Sequence, residues 1–130
     1  MNVILYTNSS NEIICKRLQE AVESKVSPWR LQTYQTIKEL YQRVHKLPRE
    51  IYAAVLLAQN DEQLLELVSL RELLDGINII LVLQNCDKIS INKSHLLMPR
   101  FIDYSDGHNV AGVLEKIMAR KDMKEGSSPI

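Results

Sequence analysis

The chain has 130 residues and a mass of 15.0 kDa, the size of one domain with one core, since two domains of that total length would each be undersized. Its 16 basic and 16 acidic residues cancel, which removes the global field that draws a protein to nucleic acid or to an anionic membrane surface. With 45% hydrophobic and 25% charged residues, the chain has the balance of a globular protein and not of a disordered one.

The first segment, residues 1–7, carries the run Val3-Ile4-Leu5-Tyr6 and reads as a strand, stopped by the polar cluster 8–11 that supplies helix-capping side chains. From Ile14, the apolar residues Leu18, Ala21 and Val22 follow the period of a helix with one face inward, and Ser27-Pro28 ends it. Residues 29–35 alternate Trp29, Leu31 and Thr33 against Arg30, Gln32 and Tyr34, the pattern of a strand covered on one face and so near a sheet edge. A second helix follows, with Ile37, Leu40, Tyr41, Val44 and Leu47 in register, Thr36 as its cap and Pro48 beyond its end.

Residues 51–58 are apolar throughout except for the Tyr52 hydroxyl, which predicts a strand covered on both faces in the middle of a parallel sheet. Asn60 and Asp61 are placed to cap a third helix running to Asp75, with Gly76 in the left-handed conformation after it. Residues 77–83 form a second continuous apolar strand. Residues 85–98 match neither template, although Asp87 is placed to cap a short helix there and Pro99 closes the stretch. Residues 100–104 read as a short strand, the Asp106-Gly107 turn follows, and Val110, Val113, Leu114, Ile117 and Met118 make a last helical stripe. One domain over residues 1–121 and a solvated tail over 122–130 are therefore expected.

Five strands alternating with five helices predict an α/β fold: a three-layer α/β/α arrangement around a five-stranded parallel sheet. With right-handed crossovers, the order 2-1-3-4-5 is the commonest outcome. That order puts the two apolar strands inside and the two more polar segments at the edges.

Cys15 and Cys86 are too few for a disulfide framework, and no secretory leader pattern opens the chain. The longest apolar runs, 53–58 and 77–83, fall far short of the ~20 residues that span a bilayer. A reduced, cytoplasmic protein with no nucleic-acid or membrane partner is expected. Cys15, among Ile13, Ile14 and Leu18, reads as a packed thiol.

In an open parallel sheet, ligands bind at the carboxyl ends of the strands, which limits a site to residues 7–11, 34–36, 58–61, 84–87 and 103–108. The candidates there are Asn8, Asn60, Asp61, Gln84, Cys86, Asp103 and Asp106, and none of the five stretches contains Lys or Arg. Asp61, Asp87 and Asp106 also suit helix starts, where the dipole favours an acid. Asp103, Asp106 and His108 lack a second cluster to complete a metal shell, and His45 and His95 have no ligand spacing between them. Cys86 has no His or Lys beside it to stabilise a thiolate. The 4 glycines do not compose a phosphate-binding loop or a dinucleotide fingerprint. No metal and no cofactor is expected.

The unit order and length over about residues 2–121 resemble the receiver domains of bacterial response regulators, which include the chemotaxis regulator of flavodoxin-like topology. The resemblance implies a paired acidic site after strand one for magnesium, a phosphate-accepting aspartate at the end of strand three, a hydroxyl after strand four and a lysine after strand five. Here Tyr6, Thr7 and Asn8 occupy the first place, and Ala58 stands at the phosphoacceptor position with Asp61 the nearest acid. Leu83 or Gln84 replaces the hydroxyl, and Asp103 replaces the lysine. Those groups act together, so the resemblance implies a pseudo-receiver with no phosphoacceptor and no catalytic residue, acting by protein binding in signal transduction. The alternative is a small-ligand binder or enzyme using the polar crevice, with Asp103, Asp106 and Cys86.

Charge is divided locally: residues 37–50 carry Lys38, Arg43, Lys46 and Arg49 against Glu39 and Glu50, whereas 60–75 carry five acids against Arg71. Stepping the third helix at 100° per residue puts Leu64, Leu67, Val68, Leu70 and Leu74 on one face and leaves Leu65 and Leu73 pointing away. Leu65 and Leu73 are therefore the candidate contact face for a homodimer or a partner protein.

Overall fold

The computed structural model describes residues 2–8, 13–46, 48–104 and 107–127, with side chains through residue 119. In chain order the elements are β1 (Asn2–Tyr6), α1 (Ile13–Glu23), β2 (Leu31–Tyr34), α2 (Ile37–His45), β3 (Ile51–Ala58), α3 (Asp61–Val68), β4 (Asn78–Leu83), α4 (Lys88–Ser94), β5 (Phe101–Asp103) and α5 (Val110–Ser127). Short 3-10 turns occupy Pro48–Glu50 and His95–Leu97. The strands form one parallel sheet in the order β2-β1-β3-β4-β5, the order expected from the alternation of elements.

Strand alternation divides the interior into two cores. On one face Ile4, Ala54, Leu56, Ile79 and Leu81 pack against Leu40 and Val44 of α2 and Leu64 and Leu67 of α3. On the other, Val3, Leu5, Val55, Leu57, Ile80 and Val82 pack against Leu18 and Val22 of α1 and Val110 and Leu114 of α5. Every residue of β3 except Tyr52 is buried, as an uninterrupted apolar strand demands. The Tyr52 hydroxyl donates to the Ile117 carbonyl at 2.8 Å and so tethers α5. β2 and β5 are the half-buried edges.

The departures from expectation lie at the end of the third helix and in the last residues of α5. The third helix ends at Val68, not at Asp75. Beyond it, Leu70, Arg71 and Leu73 bond three residues back, to Leu67, Val68 and Leu70, and the Ser69 hydroxyl takes the Glu66 carbonyl. This tighter winding turns Leu73 back against the core, whereas Leu65 stays 40% exposed. The contact face read from 100° steps therefore loses Leu73, because the steps stop being 100°.

Residues 85–98 contain α4, capped by Asp87 through the Ser90 N–H. The helix is hidden in sequence because its fully buried side chains are Ser90 and Ser94, while Ile89 is 68% exposed and Ile91 alone packs, partly buried, against the core. After the following turn Met98 adopts φ 50 and ψ 53, a left-handed backbone that costs a non-glycine residue on the order of 1–2 kcal/mol. Residues 122–127, read from composition as tail, continue α5; 128–130 lie outside the described residues.

Candidate functional site: the carboxyl rim of the sheet

Parallel strands deliver five chain crossings to one rim, and amides fill its centre. Asn8, immediately after β1, donates through Nδ2 to Gln63 Oε1 at 2.5 Å and, at 3.4 Å, to the Leu57 carbonyl. The same Gln63 oxygen accepts the Gln59 N–H at 2.7 Å. Gln63 thus binds the end of β1 to the exit of β3 and sits half-buried at the hub of the rim. It was absent from the sequence candidates, yet a signal existed: Asn60-Asp61-Glu62-Gln63 has the spacing of a reciprocal helix cap. The forward half is as expected, with the Gln63 N–H donating to Asn60 Oδ1 at 2.9 Å, but the glutamine reaches one residue further back than such a box requires.

Replacing Gln63 with alanine leaves the Gln59 N–H and the Asn8 amide without this acceptor. A loss of about 1–2 kcal/mol is expected in urea denaturation, with Gln63→Glu, which keeps the oxygen, closer to wild type. Equal losses in the two variants would contradict the role of the acceptor.

The carboxylates of the rim are turned to backbone donors. Asp61 Oδ1 accepts the Asp87 N–H at 2.9 Å and so pins the β4–α4 loop to the start of α3. Asp87 Oδ1 accepts the Ser90 N–H at 2.8 Å, and the bonds from Ser90, first from its backbone and then from its side chain, hold the Asp87 carboxyl below its usual range. Gln84 continues the β3–β4 ladder through its N–H to the Ala58 carbonyl at 2.9 Å. Asn85, at φ 53, takes a left-handed turn that asparagine tolerates well.

Cys86 is half-buried, and burial followed by the Asp61 and Asp87 carboxylates pushes its thiol up. Its Sγ donates to the Gln84 carbonyl at 3.3 Å. A thiol kept protonated in this way is a poor nucleophile at neutral pH. Asp103 ends β5 at 4% exposure. Asp106 lies outside the described residues. Among the described residues no group of three His, Cys, Asp or Glu is placed to hold a metal ion, and no helix is long and apolar enough to cross a membrane.

Beneath the amides, Ala58 closes β3 at 0% exposure and belongs to the apolar core. Tyr6 packs into the same core, and burial, aided by the Glu66 carboxylate, pushes its phenol from 10.0 to about 12. Below pH ~10 this proton is bound in folded and unfolded chains alike and stability is unaffected. Between about 10 and 12 the unfolded chain releases it while the folded chain holds it, so stability falls as pH rises, by on the order of 2 kcal/mol in all. Tyr6→Phe is expected to flatten that alkaline decline in urea midpoints; an unchanged decline would contradict the burial of the phenol.

The fold and this rim define an α/β protein of flavodoxin-like strand order whose strand-end crevice is lined by amides and aspartates. No protein-family model, curated protein or solved structure matches the chain.

Proposed function

We propose that this chain is a receiver-like interaction module of a signalling pathway: it takes up no phosphoryl group and works by binding another protein. The observation that carries the reading is Ala58, apolar and fully buried at the end of β3, beneath a crevice whose polar side chains Asn8, Asn60, Gln63, Asp61 and Asp87 are engaged with one another and with backbone. Phosphoryl transfer needs an accessible nucleophile and cationic neutralisation of the transferred group, and the rim stretches contain neither Lys nor Arg. Binding is supported by large apolar side chains left in water: Leu65, Ile89, Leu96 and Met98 are 40%, 68%, 57% and 79% exposed. All four belong to the stretch from α3 to the start of β5, and of them Leu96 and Met98 line one cavity together, the kind of exposed apolar surface that marks contact sites.

Incubation with acetyl phosphate and magnesium followed by intact-mass measurement tests the first half of the reading. An unchanged mass is expected. A stoichiometric gain of one phosphoryl group would overturn it.

A further inference from the structure

Opposite the crevice, the amino ends of β3, β4 and β5 border two cavities that share the wall 75–78. One, of about 350 Å³, is lined by Arg71, Leu74, Asp75, Leu96, Met98 and Arg100 among others. Its neighbour, of about 400 Å³, adds Arg49 and Tyr52. The described residues on these walls include three arginines, Arg49, Arg71 and Arg100, against one acid, Asp75. Acids at helix starts and bases at helix ends are commonly explained by the helix dipole. Arg71, just past the end of α3, suits that explanation, but Arg49 lies in a 3-10 turn and Arg100 directly precedes β5, so neither of them is placed by it.

Apolar anchors accompany the charge. Leu96 and Met98 stand in water at the mouth of the first cavity, and Met98 is held there on a left-handed backbone immediately before Pro99. A residue preceding proline is normally driven to extended conformations, so this side chain is displayed at the expense of local strain, a feature that concentrates at binding sites. Residues 88–102 contain Lys88, Lys93 and Arg100 and no acid, which extends the positive character along α4.

We infer that this amino-end groove binds an acidic, apolar-anchored peptide segment of a partner protein: one or two large apolar side chains against Leu96 and Met98, with carboxylates paired to Arg71, Arg100 and Arg49. The inference rests on the module reading above and gives its partner a chemistry. Arginine matches carboxylates in bidentate geometry, and methionine adapts to varied apolar contacts. The apolar pair favours a peptide over a nucleic acid, which would meet the arginines with phosphates alone.

Panning phage-displayed random peptides on the intact chain tests this. Selected sequences are expected to be enriched in Asp and Glu beside Leu, Ile or Phe, and to lose affinity at least ~10-fold against Arg71→Glu/Arg100→Glu, each loss of a paired charge being a large effect. Met98→Asn removes the anchor while suiting the left-handed backbone, so it is expected to weaken the selected peptides and to melt no lower than wild type. Peptides without acidic enrichment, full affinity for the double variant, or displacement of the peptides by an equal concentration of single-stranded DNA would each overturn the groove. Peptides that bind but map by amide shifts to the exposed face of α3 would overturn the groove and leave the module reading standing, whereas phosphoryl uptake would remove the module reading itself.

Discussion

Ala58→Asp is expected to lose about 3 kcal/mol or more of stability and to gain no phosphoryl group. In the receiver-like reading proposed above, this position is the one that a phosphate-accepting receiver domain would fill with aspartate, so the substitution supplies that residue by name. Its surroundings do not restore the chemistry. Ala58 is fully buried and lies in the apolar core with Leu56, Leu64 and Leu83, and its strand partner across the ladder is Leu83. A carboxyl group introduced there loses hydration, crowds a packed space with its carbon and both oxygens, and meets no lysine or arginine from the rim stretches. An unpaired buried polar group costs about 1–3 kcal/mol in proteins, and overpacking adds a similar amount. Urea denaturation of Ala58→Asp beside its neutral isostere Ala58→Asn separates the charge from the size. Wild-type stability in the aspartate variant, or a mass gain with acetyl phosphate, would contradict the account of a closed, apolar strand end.

A second large effect is expected at the turn that leads into α5. Gly107 has φ +80, and a Cβ added there would lie 3.0 Å from Leu18 Cδ1 and 3.6 Å from both Val82 methyls. Gly107→Ala thus combines a left-handed backbone penalty of about 1 kcal/mol with pressure on α1 and β4, for a total of about 2–3 kcal/mol. Gly76 is the internal control. Its φ is +84, but a Cβ there would meet nothing within 4 Å, so Gly76→Ala is expected to lose only the backbone component, about 1 kcal/mol. Melting curves of the two variants should differ clearly, with Gly107→Ala the lower. Equal melting temperatures would show that Leu18 yields without cost.

What the sequence makes legible follows from how directly each element writes its burial into side-chain chemistry. β3 and β4 are buried on both faces, so their runs are continuously apolar and their central places in the sheet follow. β2, half-buried along its length, alternates. The caps at Thr36, Asn60 and Asp87 use the side chains that compete well for free N–H groups. α4 is obscured because it buries two serines and exposes one isoleucine, so its inward face carries a single apolar side chain, Ile91, too few to show a period. The end of α3 is obscured because a change from four-residue to three-residue winding leaves no mark in composition, and Leu73 is misplaced with it.

The rim shows the same division. Its loops were located from topology alone, and Asn8, Asn60, Asp61 and Gln84 all take part in hydrogen bonding there. Gln63 was missed because it belongs to the first turn of a helix and reaches the crevice only through a long side chain. The amino-end groove could not be read at all, since Arg49, Arg71 and Arg100 are separated in sequence and converge only when the parallel sheet brings β3, β4 and β5 together. The even charge of the chain therefore conceals a polarity along the strands, with aspartates at the carboxyl rim and arginines at the amino end.

The central claim, a strand-end crevice closed to phosphoryl chemistry in a chain that works by binding, is tested most directly by the amide spectrum of the isotope-labelled protein titrated with beryllium fluoride and magnesium. The account predicts that the resonances of Asn8, Gln59, Asp61, Gln63 and Asp87 stay where they are throughout the titration. A saturable shift at those residues would show a phosphoryl-like group seated on the rim and would contradict it.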